Sequence, residues 1–217
     1  MKMCEFLKSH EEIMESHRRL DELRLPHNSI ICKDWDLARI LPDLGPGNLI
    51  DLGSSGSWLL VGAVTRRIPG LKMGIDLRPP EQIVRGCAFM VGDLMPTGLP
   101  ASFFESVCCL STIEHNVDFN AFAAEVDRIL QPGGKAYVTF DYWEPKVIQP
   151  VTVFNMAWNI LCRQEVEHLV SIFKARGITP VEEIDWTLGD KVITQQNWGP
   201  AGCLPYTFGM VTFKKQR

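Results

Sequence analysis

The chain has 217 residues, enough to bury one sizeable core, and its formal net charge of −4 argues against the phosphate-binding surface of a nucleic-acid partner. Seven cysteines, at 4, 32, 87, 108, 109, 162 and 203, include no Cys-x-x-Cys pair, so free thiols in a reducing compartment are expected rather than a disulfide framework. No run approaches the roughly 20 apolar residues of a membrane span, and charges interrupt residues 1–24 too often for an export signal, which points to a cytoplasmic protein.

Residues 5–25 place Phe6, Leu7, Ile13, Met14, Leu20 and Leu23 at near-heptad spacing among charges, with Pro26 as the stop. This predicts an amphipathic helix lying against another surface. His10 and His17 share its apolar face and are read as packed side chains. His10-Glu11-Glu12 opens like a zinc-binding helix, but position 14 holds Met14 instead of a second histidine, so no metal is expected. The loop 42–47, rich in Pro and Gly, separates this helical extension, residues 1–46, from a main domain over 47–217.

The main domain then alternates: strand 48–52, helix 58–67 ended by Pro69-Gly70, strand 71–76, a short helix 80–85, strand 87–91, strand 105–111, helix 119–130, and strand 135–142 after the Pro132-Gly133-Gly134 turn. Beyond Trp143 the rhythm breaks in a Pro-punctuated, aromatic stretch over 144–161. It resumes with helix 164–176, strand 178–186 and a last strand 206–214. The expected fold is α/β: a doubly wound, mostly parallel seven-stranded sheet with an antiparallel last strand. The connection of about 20 residues before the last strand is long enough to be functional.

Three of these strands end in an acid: Asp51, Asp76 and Asp93. An open α/β sheet takes its ligand outside the carboxyl ends of its strands. Asp51-Leu52-Gly53-Ser54-Ser55-Gly56 is a small-residue loop that lets a ligand approach the backbone at a helix start. Asp76, about 25 residues on, is placed to accept from two ribose hydroxyls, and Gly92-Asp93 repeats the arrangement one strand further. Each acid singly suits a helix cap; three in register point to a nucleoside site.

Over residues 48–142 the chain resembles the class I S-adenosylmethionine-dependent methyltransferases. The matching motifs, in order, are Asp51 with Gly53, Asp76, Asp93, Glu114-His115, and Leu130-Gln131-Pro132-Gly133-Gly134. The resemblance implies a Rossmann-like fold and S-adenosyl-L-methionine as cofactor. It also implies cofactor contacts from Asp51, Gly53, Ser54, Ser55 and Gly56, from Asp76 and Leu77 at the ribose, from Gly92, Asp93 and Leu94 at the adenine, and from Ser111. Ser55 and Ser57 replace two family glycines and Gly56 is displaced by one, a departure that serine's small size tolerates.

Methyl transfer to a hydroxyl requires positioning, exclusion of water and removal of a proton. His115 is the candidate base, and Glu114 either shares that role or meets the cofactor's amino group. Asp141 and Tyr142 stand next in line. The stretch 111–115 also resembles methyltransferase-like proteins of bacterial glycan synthesis, which implies O-methylation of a small-molecule or sugar acceptor. Tyr142, Trp143, Phe154, Trp158, Trp186, Trp198 and Tyr206 concentrate where an acceptor pocket would be roofed, although most are expected in the core.

The competing readings are a catalytically silent scaffold in a glycan-assembly complex and a nicotinamide oxidoreductase. The second lacks its glycine fingerprint, because Ser55 and Trp58 stand at the required positions. A hydrolase elbow centred on Ser55 fails at Ser57.

Overall fold

The computed structural model describes all residues except Ser55, Ser57, Gln149, Phe154, 190–203, Pro205 and Arg217. Among the described elements, strands β1 (Cys4–Phe6), β2 (Leu49–Leu52), β3 (Lys72–Asp76), β4 (Ala88–Val91), β5 (Phe104–Leu110), β6 (Leu130–Tyr142), β9 (Ile178–Pro180) and β10 (Thr207–Lys215) form one eight-stranded sheet. Its order is β1-β10-β6-β5-β2-β3-β4, with β9 also pairing β10. The pairs among β2 to β6 are parallel, and every pair made by β10 is antiparallel. A separate hairpin, β7 (Thr152–Val153) and β8 (Met156–Ala157), occupies the stretch where the rhythm was expected to break.

The parallel strands are apolar on both faces because helices cover both. Ile50 and Leu52 of β2 and Val107 and Cys109 of β5 join a core under α4 (Phe119–Ile129) and α5 (Arg163–Lys174). The alternate residues Leu49 and Cys108 join the opposite core, under α1 (His10–Glu22), α2 (Asp34–Asp43) and α3 (Trp58–Thr65). The chain order reverses between β2 and β5, which is where such a sheet opens a crevice at its carboxyl edge.

The N-terminal segment departs from expectation. The helix begins at His10, because Ser9 caps it: the Ser9 hydroxyl accepts from the Glu12 amide at 3.2 Å, and Glu12 accepts from the Lys8 amide at 3.2 Å. Ahead of the cap, Cys4–Phe6 adds an edge strand to β10, with Cys4 opposite Val211. Helix α2 was not expected, although Asp36, Arg39 and Asp43 recur in it at helical spacing; every residue from Asp34 to Leu41 is nevertheless buried. The short helix expected over 80–85 is absent: Pro79 and Pro80 favour extended backbone, and Gly86 turns the chain at φ +86° into β4. Strand β9 stops at Pro180, six residues before the expected end.

His10 is exposed, while His17 and His27 stack at 3.9 Å and both reach the buried Asp34 carboxylate, at 2.6 and 2.8 Å. The six cysteines among the described residues are free thiols. No described helix is long and apolar enough to cross a membrane. Most of the connection ahead of β10, with Trp198, lies outside the described residues.

Candidate functional site

Asp51 stands on β2 between Gly74 of β3 and Cys108 of β5, at the reversal of strand order. It is 5% exposed, and Oδ1 has no hydrogen-bond partner among the described residues. Burial pushes its pKa up to about 7; Ser54 opposes this and the nearby Asp76 adds to it. Gly53 follows at φ +82°, and a Cβ there would lie 2.2 Å from Thr112 Oγ1, so only glycine fits the turn. The amides of Gly53 and Ser54 both donate to the Ile75 carbonyl, at 2.8 and 3.1 Å, and Gly74 leaves the space that Ser54 fills. Ser55 lies outside the described residues. The Gly56 carbonyl accepts from Gln82 at 3.0 Å.

Asp76 and Asp93 end the next two strands in sheet order. Each uses Oδ1 to hold its own turn, Asp76 from the Arg78 amide at 3.0 Å and Asp93 from the Met95 amide at 2.9 Å. The Gly92 amide donates to the Asp76 carbonyl at 2.9 Å, tying the two strand ends together. Leu77 is exposed, and Leu94 packs against the core.

A cavity of about 260 Å³ opens at the carboxyl edge. Asp51, Gly53, Ser54, Gly56 and Ser111 line it from the strand ends, and Glu114 and His115 from the loop after β5. Asp76, Leu77, Gly92, Asp93 and Leu94 are not in its lining; they continue the edge beyond it. Ser111 leaves β5 in the left-handed region at φ +47°, an uncommon conformation for a residue with a side chain.

Glu114 is 1% exposed, and neither carboxylate oxygen has a hydrogen-bond partner among the described residues. Burial, reinforced by Asp141, raises its pKa well above the usual carboxylate range against the pull of Lys33. His115 is half-buried, and burial together with Lys33 lowers its pKa to about 4, so the ring is neutral at pH 7.

Asp141 also lines the cavity; its Oδ2 accepts from Trp158 Nε1 at 2.7 Å, and burial raises its pKa to about 6. Tyr142, one residue on, faces the other way. Its ring lies 4.1 Å from Phe6 in the opposite core, which removes it from the candidate bases. Trp186 belongs to that same side, whereas Trp158 and Tyr206 line the cavity. Phe154 lies outside the described residues.

Lys33 and Asp36 were not expected at the site. They come from the turn before α2 and its first turn, where the sequence offered a charged Lys33-Asp34-x-Asp36 run against an apolar stretch. Lys33 Nζ lies 3.4 Å from Asp36 Oδ2, donates to Ser111 Oγ and sits 3.4 Å from the Phe208 ring centre. Burial would lower its pKa, but Asp36, Asp141 and Glu114 together raise it.

A model of the methyltransferase domain family matches residues 59–138. Among curated proteins no sequence matches the chain. Several solved structures do match it in fold. The 1,6-didemethyltoxoflavin-N1-methyltransferase of Burkholderia thailandensis, solved with its substrate and S-adenosylhomocysteine, is 14% identical with a TM-score of 0.62, covering 95% of this chain and 86% of that one. An S-adenosylmethionine-dependent methyltransferase from Mesorhizobium loti is 16% identical with a TM-score of 0.57, covering 85% and 98%. The [4+2]-cyclase SpnF is 17% identical with a TM-score of 0.59, covering 85% and 82%. At these identities the likeness is one of fold, and the cyclase is a reminder that this fold does not dictate one reaction. A methyltransferase-domain match over residues 59–138 and a sheet shared in fold with S-adenosylmethionine-dependent methyltransferases are what the comparisons show of this chain.

Proposed function

We propose that the chain transfers a methyl group from S-adenosyl-L-methionine to a small-molecule acceptor held in the cavity at the carboxyl edge. The observation that carries this reading is a set of buried carboxylate oxygens, Asp51 Oδ1 and both oxygens of Glu114, which have no hydrogen-bond partner among the described residues and belong to side chains that line that cavity where the strand order reverses. Buried polar atoms without partners are rare and call for an external one.

The described residues fit the cofactor. Asp51, Gly53 and Ser54 would hold its amino-acid end, with Gly56 and Ser111 alongside; Asp76, with Leu77, would hold the ribose, and Asp93, between Gly92 and Leu94, the adenine amino group. Ser55 is assigned to the same loop on sequence alone. When bound, the cofactor supplies a methyl group activated on a sulfonium sulfur. The protein's part is to orient the acceptor, exclude water and take up a proton.

O-methylation assisted by His115 was the sequence expectation. With a pKa of about 4, His115 is a weak base. Asp141 and Glu114, both raised, fit proton uptake better. Calorimetry with S-adenosylhomocysteine tests the cofactor assignment. A folded protein that binds none of it would leave only the silent-scaffold reading.

A further inference from the structure

The lining of the cavity gathers three buried carboxyl groups around one ammonium. Asp36, Glu114 and Asp141 all line it and are 1%, 1% and 7% exposed, and one ammonium, Lys33, faces them. Asp36 Oδ2 accepts from Thr139 at 3.3 Å and Asp141 Oδ2 from Trp158, but Asp36 Oδ1 and both oxygens of Glu114 have no hydrogen-bond partner among the described residues. A buried carboxylate in that condition is costly until a cation or donor arrives.

Aromatic rings share the same lining. Trp158 meets Tyr206 edge to face at 5.2 Å, and Tyr206 lies 6.5 Å from Phe208. Carboxylates set beside aromatic faces are the combination that recognises an ammonium. The molecule already shows this chemistry once, in the Lys33 ammonium seated between Asp36 and the Phe208 ring.

Resting on the methyltransferase reading, we propose that the acceptor is a small amine, bound as its ammonium against Glu114 and Asp141 beside the rings of Trp158 and Tyr206, and that the reaction is N-methylation. The ammonium gives one proton to a carboxylate, which passes it to water and leaves a lone pair on nitrogen. That pair forms the new N–C bond while the C–S bond breaks and its electrons stay on sulfur. The products are a methylammonium, S-adenosylhomocysteine and one released proton.

The test uses the full chain, saturated with S-adenosylhomocysteine and titrated with phenethylamine and butylamine against their neutral counterparts 2-phenylethanol and butanol. The amines should bind at least about tenfold more tightly than the alcohols. Glu114→Gln and Asp141→Asn should each erase that preference, with cofactor affinity within about threefold of wild type and an undiminished melting temperature. The proposal is overturned if neither amine binds, if alcohols bind as well as amines, or if the preference survives both substitutions. It is also overturned if Glu114→Gln weakens S-adenosylhomocysteine instead, because Glu114 then serves the cofactor's amino group. Should the wild type bind no S-adenosylhomocysteine, the methyltransferase reading fails, and the same amine-to-alcohol comparison on the free protein still decides the ammonium site.

Discussion

Gly53 and Asp51 set the terms of the site at the scale of single residues. Gly53 combines φ +82° with a Cβ position 2.2 Å from Thr112 Oγ1, so Gly53→Ala should lose roughly 2–4 kcal/mol of stability from backbone strain and overpacking together. Urea denaturation measures this; an unshifted midpoint would mean that the turn is not as tight as it looks. Asp51 behaves in the opposite sense. Its folded-state pKa is about 7 against an ordinary value near 3.8, so the folded chain binds a proton more tightly than the unfolded one. Stability from this group therefore falls as pH rises from about 4 to 7, and Asp51→Asn should flatten that decline and melt higher than wild type at pH 7.5. Equal pH profiles for the two proteins would show that Asp51 is ordinarily acidic. A carboxylate kept at such a cost suits a binding role better than a structural one.

At the scale of elements, the cavity depends on how the N-terminal segment is fastened to the sheet. Arg39 of α2 donates to Glu5 of β1 at 3.2 and 3.0 Å, lies 4.1 Å from the Trp35 ring, and both charged side chains are buried. Arg39→Met should cost about 3 kcal/mol, at the low end for a broken buried pair because Lys8 still lies 3.7 Å from Glu5. Adding Glu5→Gln should recover part of the loss. If the double variant is as unstable as the single, Arg39 matters through packing rather than through charge.

The strands of the parallel sheet were legible because each is a short apolar run ending in an acid or a small-residue loop. The first edge strand was not, since three residues acquire strand geometry only from a partner some 200 positions later. Helix α2 was overlooked although Asp36, Arg39 and Asp43 recur in it at helical spacing, and Asp36 and Arg39 are buried instead of marking a solvent face. Its cavity residues Lys33 and Asp36 were therefore overlooked, while Asp51, Glu114 and Asp141, on strands or just after them, were not. The start of α1 was readable in Ser9, a cap residue three positions before Glu12.

For the whole molecule, the strand reversal between β2 and β5 places Asp51, the loop after β5 and the end of β6 around one cavity, and the N-terminal segment and β10 close it. Asp76 and Asp93 continue the same edge, where the proposed reading puts the nucleoside half of the cofactor. The family match spans 59–138 and so leaves out the first acid loop, where this chain departs most from the family's glycines. Cofactor binding is therefore the point on which the account turns. Isothermal titration of the full chain with S-adenosylhomocysteine tests it, with Asp76→Ala titrated beside the wild type and both melted to show that they fold. We expect one site of micromolar affinity, about −8 kcal/mol, weakened in Asp76→Ala by roughly 2–4 kcal/mol for the loss of two charge-assisted hydrogen bonds. A folded wild type that gives no binding heat, or a folded Asp76→Ala that binds as tightly as wild type, would contradict it.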